Sequence, residues 1–147
     1  MIRAACHCGA LRLIMDPAPA WVLDCNCSIC RRYGVLWAYA WDRIGRRTRQ
    51  IDIIQGRDAA EAYIWGDKEL GFWRCKACGC VTHHTALEQP DQVRAVNARM
   101  FVDFDPAAVT IHRSDNAHTG RFWSRPDAPV WTGAQPPMPP VGPDDWL

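Results

Sequence analysis

The chain has 147 residues, enough for one domain that buries its own core without metals to make up for small size. Its composition is ordinary globular chemistry, 48% hydrophobic and 22% charged, and a net charge of +1 removes any general electrostatic case for nucleic acid or a membrane surface as partner. No run of about 18 apolar residues is present, which excludes a membrane-spanning helix, and the opening MIRAACHCGALRLIM lacks the parts of a signal peptide, so a cytoplasmic protein is expected.

The first expected element is an N-terminal hairpin carrying Cys6-His7-Cys8-Gly9. Residues 28–33 can make a short turn of helix, capped by Asn26 or Ser28. Val35, Trp37, Tyr39 and Trp41 then alternate with Leu36, Ala38 and Ala40, the pattern of a strand with one bulky and one small face. Residues 51–55, 62–65, 70–74, 81–87, 92–98 and 109–112 are further short β-like runs, separated by turn signals at 55–57, 66–67, 88–91 and 103–106. Ala107 and Ala108 add one more turn. Many short strands without a long helical period predict a mainly β domain over residues 2–115. Beyond it, Pro126, Pro129, Pro136, Pro137, Pro139, Pro140 and Pro143 exclude regular helix and central strand. Residues 116–147 are read as an extended C-terminal arm, with Trp131 and Trp146 available to pin it to the body or to a partner chain.

The eight cysteines cluster at metal-ligand spacings, and a reducing compartment disfavours disulfides among them. Cys8 and Cys78 are each followed by glycine. Glycine there can adopt positive φ and turn the chain so that backbone amides face the sulfur. The pairs Cys6/Cys8 and Cys75/Cys78 together make a tetrahedral four-cysteine site, closed to substrate and therefore structural. His7, between two ligands, is read as a surface or supporting residue. Cys25, Cys27 and Cys30 place three sulfurs within six residues. Three protein ligands leave a fourth position free, the arrangement of catalytic zinc. A second structural site completed by Cys80, His83 or His84 remains the alternative. Cys75, Cys78 and Cys80 also form CxxCxC, so the partition of ligands is formally ambiguous; the Cys-Gly turns favour Cys75 and Cys78, leaving Cys80 as a buried small hydrophobe.

The segments Cys6-His7-Cys8-Gly9-Ala10, Cys25 to Gly34, Arg74 to Gly79 and Asn97-Ala98-Arg99, in that order, resemble the glutathione-dependent formaldehyde-activating enzyme family, also called the CENP-V/GFA domain. The resemblance spans roughly residues 2–115. It implies a zinc-stabilised β-tent-like fold with short helical turns and two Zn²⁺ sites. The outer pairs would hold the structural zinc, and Cys25, Cys27 and Cys30 would form the active-site element. The implied activity joins glutathione to formaldehyde as S-(hydroxymethyl)glutathione, the reverse of a carbon–sulfur lyase reaction.

On that reading Arg31 and Arg32 meet a carboxylate of glutathione, and Asn97 and Arg99 line the site or hydrogen-bond its thiolates. Their competing uses are an exposed basic turn and a strand end. Ser28 either donates to a sulfur or caps the helix. Tyr33, Trp37 and Trp73 either shape a pocket or belong to the core. The expected partner is glutathione or a related thiol adduct, with no nucleic acid, no membrane and a homo-oligomer left open. The second zinc, with three protein ligands, is the more weakly held. Two other readings compete: a thiol-binding protein without turnover, and a zinc-stabilised interaction domain that would tolerate Cys27→Ser.

Overall fold

Strands whose side chains alternate between two differently covered faces organise the computed structural model, which describes residues 1–42, 45–66, 68–105, 107–117 and 121–123. A small antiparallel sheet of β1 (Ile2–Ala5), β2 (Arg12–Asp16) and β5 (Gln50–Gln55) has the order β1-β2-β5. The larger sheet is built from β3 (Trp21–Cys25), β4 (Trp37–Tyr39), β6 (Ala60–Ile64), β7 (Leu70–Cys75), β8 (Val81–Ala86), β9 (Gln89–Asn97), β10 (Thr110–Asp115) and β11 (Arg121–Trp123). Its order is β11-β10-β3-β4-β9-β8-β7-β6, antiparallel throughout except for the parallel pair β10–β3. The single α-helix among the described residues, α1 (Ser28–Tyr33), follows β3.

The mainly β expectation holds. The runs at 51–55, 62–65, 70–74, 81–87, 92–98 and 109–112 are β5 to β10, with ends that coincide or differ by up to three residues. The run at 35–41 shrinks to β4, three residues long. Strands β3 and β11 had no assigned range, and β11 extends the sheet past residue 115. The turn expected at 107–108 is present, with Ala108 N donating to Asp105 O at 3.0 Å. The rest of the arm, with Trp131 and Trp146, lies outside the described residues.

Strand parity divides the interior in two. On one face of the large sheet, Val22, Leu36, Ala38, Val93 and Val96 pack against Leu13, Met15 and Ile51 of the small sheet. On the other face, Leu23, Val35, Trp37, Phe72 and Ala95 pack with Ile29 and Cys30 of α1. The predicted alternation therefore places Val35, Trp37 and Tyr39 on the second face. Trp41 departs from it and joins the first core, because the regular strand ends at Tyr39. Guanidinium groups of Arg47 and Arg94 lie 5.5 and 5.9 Å from its ring.

Candidate metal centres

The first centre is made by two hairpin tips. The β1–β2 connection carries Cys6 and Cys8, and the β7–β8 turn carries Cys75 and Cys78. Gly9 and Gly79 adopt φ of 74° and 73°, and their amides donate to Cys6 O and Cys75 O, both at 2.9 Å. This is the turn expected from the Cys-Gly pairs. The reversal frees Leu11 N to donate to Cys6 Sγ at 3.3 Å. The Cys80 amide, followed by that of Cys8, holds the Cys78 thiol low, at about 5. The four sulfurs all lie within 4.8 Å of one another, with Cys6–Cys8 at 3.6 Å and Cys8–Cys75 at 3.7 Å. A tetrahedral ion with metal–sulfur bonds of about 2.3 Å separates its sulfurs by about 3.8 Å, whereas a disulfide sets about 2.05 Å. All eight cysteines are free thiols. The geometry therefore fits a four-thiolate metal site lodged between the two sheets. His7 is exposed at the tip.

The second centre lies on the opposite face of the large sheet, where β3 runs into α1. Cys25 closes the strand, Cys27 takes the N-cap position and Cys30 lies one turn into the helix. Neither Asn26 nor Ser28 caps α1. The Asn26 side chain is drawn to Asp115 Oδ1 at 2.7 Å and takes the Ala117 amide at 2.9 Å. The three sulfurs lie within 4.8 Å of one another, and each meets an N–H donor. Trp37 Nε1 donates to Cys30 Sγ at 3.1 Å, and Asn116 Nδ2 donates to Cys25 Sγ at 3.4 Å. Hydrogen bonds from Cys25 and Cys30, then from the Cys30 and Ile29 amides, hold the Cys27 thiol far below the ordinary range. The hydrogen bond with Cys27 pushes Cys25 up to about 11, and those with Cys25 and Cys27 push Cys30 higher. Donors that stabilise thiolate charge are what a metal-binding triad needs.

Among the described residues no histidine, carboxylate or further cysteine lies within 4.8 Å of all three sulfurs. Parity explains why His83 and His84 divide: His83 stacks on Trp73 on the first face, with Nδ1 2.9 Å from Thr82 Oγ1. His84 faces the second core, with its ring 4.7 Å from Trp37 and 5.6 Å from Tyr39, and its buried Nδ1 meets no hydrogen-bond partner among the described residues. Cys80 is half-buried beside the first centre, not a fully buried hydrophobe, because it sits at the same hairpin tip as Cys78. Trp73 donates to Thr85 Oγ1 at 2.9 Å and packs on the first core, the second of the two uses open to it, while Phe72 lies beside Tyr33 and Trp37. Tyr39 is a neighbour that spacing did not single out. Its phenol is kept protonated by burial and then by the charge of Cys30, Cys25 and Cys27.

The buried histidines carry a pH prediction. Burial lowers both to about 3, against about 6.5 in an unfolded chain. Between those values the unfolded chain binds protons that the folded chain does not, so stability falls as pH drops. His84→Leu removes one such group. Urea unfolding from about pH 6 to about pH 5 should show wild type losing about 1 kcal/mol more than the variant; equal losses would overturn this reading of His84.

The remaining candidates fall in two places. Arg31 and Arg32 occupy the last turn of α1. Arg31 is half-buried and its Nε meets no hydrogen-bond partner among the described residues, while Arg32 donates to Ser28 O at 2.7 Å. Asn97, 3% exposed, ends β9. Its Oδ1 accepts from Leu36 N and Arg99 N, both at 3.2 Å, and its Nδ2 donates to Val81 O at 2.9 Å. These bonds frame the start of β4, whose Trp37 lies opposite Asn97. Arg99 is exposed in the 3₁₀ turn Ala98–Met100.

Comparison with known proteins agrees with this geometry. The model of a family described as glutathione-dependent formaldehyde-activating enzyme matches residues 1–114. A crystal structure of a Rhodobacter sphaeroides protein is similar at a TM-score of 0.57 and 26% identity, over 75% of this chain and 99% of that one. No helix among the described residues is long and apolar enough to cross a membrane.

Proposed function

The chain belongs to the glutathione-dependent formaldehyde-activating enzyme family, and from that premise we propose that it is a zinc-dependent carbon–sulfur lyase acting on a glutathione–aldehyde adduct. The observation that carries the reading is the triad of Cys25, Cys27 and Cys30, each sulfur with an N–H donor and no fourth described ligand beside them. In the synthetic direction a carbon–sulfur bond forms, the thiol proton leaves to water and the former carbonyl oxygen gains a proton; no electrons are exchanged with a cofactor. Zinc, when bound, supplies Lewis acidity that lowers the pKa of a thiol or polarises a carbonyl.

The residues around the triad divide the remaining work. Trp37, Asn116 and the amides of α1 hold the three sulfurs in place. Arg31, half-buried with an Nε that meets no partner among the described residues, is the group we assign to a glutathione carboxylate. Tyr39, whose phenol burial keeps protonated, is our candidate hydrogen-bond donor to the aldehyde oxygen rather than a proton donor. The four-cysteine centre on the other face stabilises the fold and takes no part.

Formaldehyde adds to thiols unaided, so the test measures S-(hydroxymethyl)glutathione formation against the uncatalysed reaction. Wild type should bind two zinc ions and accelerate the reaction. Cys27→Ser should keep the fold and one zinc and lose about 100-fold or more of the acceleration. Two zincs with glutathione binding but no acceleration would make this a thiol-binding protein. One zinc without glutathione binding would leave an interaction domain.

A further inference from the structure

The second centre is closed on one side by residues past the stretch that the family model matches, which ends at 114. Because β10 runs parallel to β3, Ser114 lies opposite Cys25. That register brings residues 114–117 against the cysteine loop. Asn26 N donates to Ser114 O at 3.2 Å, Asn26 Nδ2 donates to Asp115 Oδ1 at 2.7 Å, and Ala117 N donates to Asn26 Oδ1 at 2.9 Å. The buried Ser114 hydroxyl donates to Asn116 Oδ1 at 2.8 Å. Asn116 Oδ1 thus faces the hydroxyl and Nδ2 faces Cys25 Sγ at 3.4 Å, the orientation that a thiolate, which only accepts, requires.

We infer that Asn116 is a positioning residue for the metal held by Cys25, Cys27 and Cys30, and that the 114–117 segment is a clasp that sets this centre's metal affinity without adding a ligand. The inference rests on the proposed reading that the triad binds a metal. Cys27 and Cys30 draw donors from α1 and from Trp37, all within the matched stretch. The side-chain donor to Cys25 comes from 91 residues away along the chain. An N–H aimed at a thiolate spreads its charge and fixes its rotamer, and loss of such a partner costs about 10–100-fold in metal affinity. The donor matters more than the shape. An Asn116→Asp change is nearly isosteric but turns an acceptor toward the sulfur, so it should harm the centre more than Asn116→Leu. Asn116→Gln keeps a donor and should recover part of the affinity.

The test is competition for zinc between the full-length chain and chelators of graded strength, with unfolding by urea as the control. Wild type should hold two ions, one released before the other. In Asn116→Leu the weaker ion should be lost at about 10–100-fold lower chelator strength, further in Asn116→Asp and less in Asn116→Gln, with the tighter ion unmoved and the unfolding midpoint of the protein carrying only the tighter ion unmoved. Two ions in wild type with the weaker one within about 3-fold of wild type in Asn116→Leu would overturn the inference alone. So would parallel loss of both ions, which would make the clasp part of the general fold, or a milder effect of Asp than of Leu. A single ion in wild type, unaffected by Cys25→Ser, would instead overturn the reading of the triad itself.

Discussion

Cys75→Ala should abolish the folded state rather than weaken it. Cys75 ends β7, is 1% exposed and lies in the core between the two sheets. Its sulfur is one of four that draw the β1–β2 and β7–β8 tips together. Structural zinc sites of this donor type contribute about 10–16 kcal/mol of apparent binding energy at neutral pH. A whole domain is stable by only about 5–15 kcal/mol. Removing one ligand also leaves a cavity in a packed interior, which adds to the loss. The variant should be recovered insoluble or with its tertiary circular dichroism gone, and a strong chelator should do the same to wild type. A soluble variant with wild-type spectra and a midpoint within about 1 kcal/mol of wild type would show that the metal is not what holds the sheets together. The contrast with Cys27→Ser is the informative one, because that change lies on the other face and should leave the fold standing.

Asn97→Ala should cost about 2–4 kcal/mol of stability, because the buried Leu36 amide loses a partner at about 1–3 kcal/mol and the partly buried Arg99 amide and Val81 carbonyl lose theirs at less each. Leu36 N, Arg99 N and Val81 O all depend on this one amide. They belong to three separate segments: the entry to β4, the turn after β9 and the start of β8. Asn97→Asp keeps the acceptor for Leu36 and Arg99 but sets an oxygen against Val81 O, so its loss should be intermediate. Urea unfolding of the zinc-loaded protein checks both. A role confined to substrate contact would give the opposite pattern, an unchanged midpoint with a raised KM. Because Trp37 lies opposite Asn97 and donates to Cys30, the destabilised variant should also release its second metal more readily.

Much of the first centre was legible in the chain because its ligands come in pairs two or three residues apart. At that range backbone geometry alone constrains where sulfurs can go, and Gly9 and Gly79 mark the reversals. Cys25, Cys27 and Cys30 were legible as a group for the same reason. The strands with clear alternation were found to within a few residues. Strands β1, β2 and β3 carry weaker signals. Ile2–Ala5 is only four residues long, and Trp21–Cys25 reads Trp-Val-Leu-Asp-Cys, with adjacent Val22 and Leu23 both buried and so no clean alternation.

What spacing could not supply was the side of the sheet on which each group lies and what meets it there. Adjacent histidines in β8 end in different cores because successive side chains in a strand point to opposite faces. Phe72 and Trp73 divide between the two cores by the same rule. The donors to Cys30 and Cys25 come from seven and 91 residues away and depend on sheet order, on the parallel register of β10 with β3, and on the turn after it. The chain alone therefore determined two thiolate clusters and a mainly β frame, since both follow from local geometry. The tertiary structure decided that one cluster joins two hairpin tips at the core between the sheets while the other lies on the far face under its own hydrogen-bond donors, since those relations arise only when distant strands choose their neighbours.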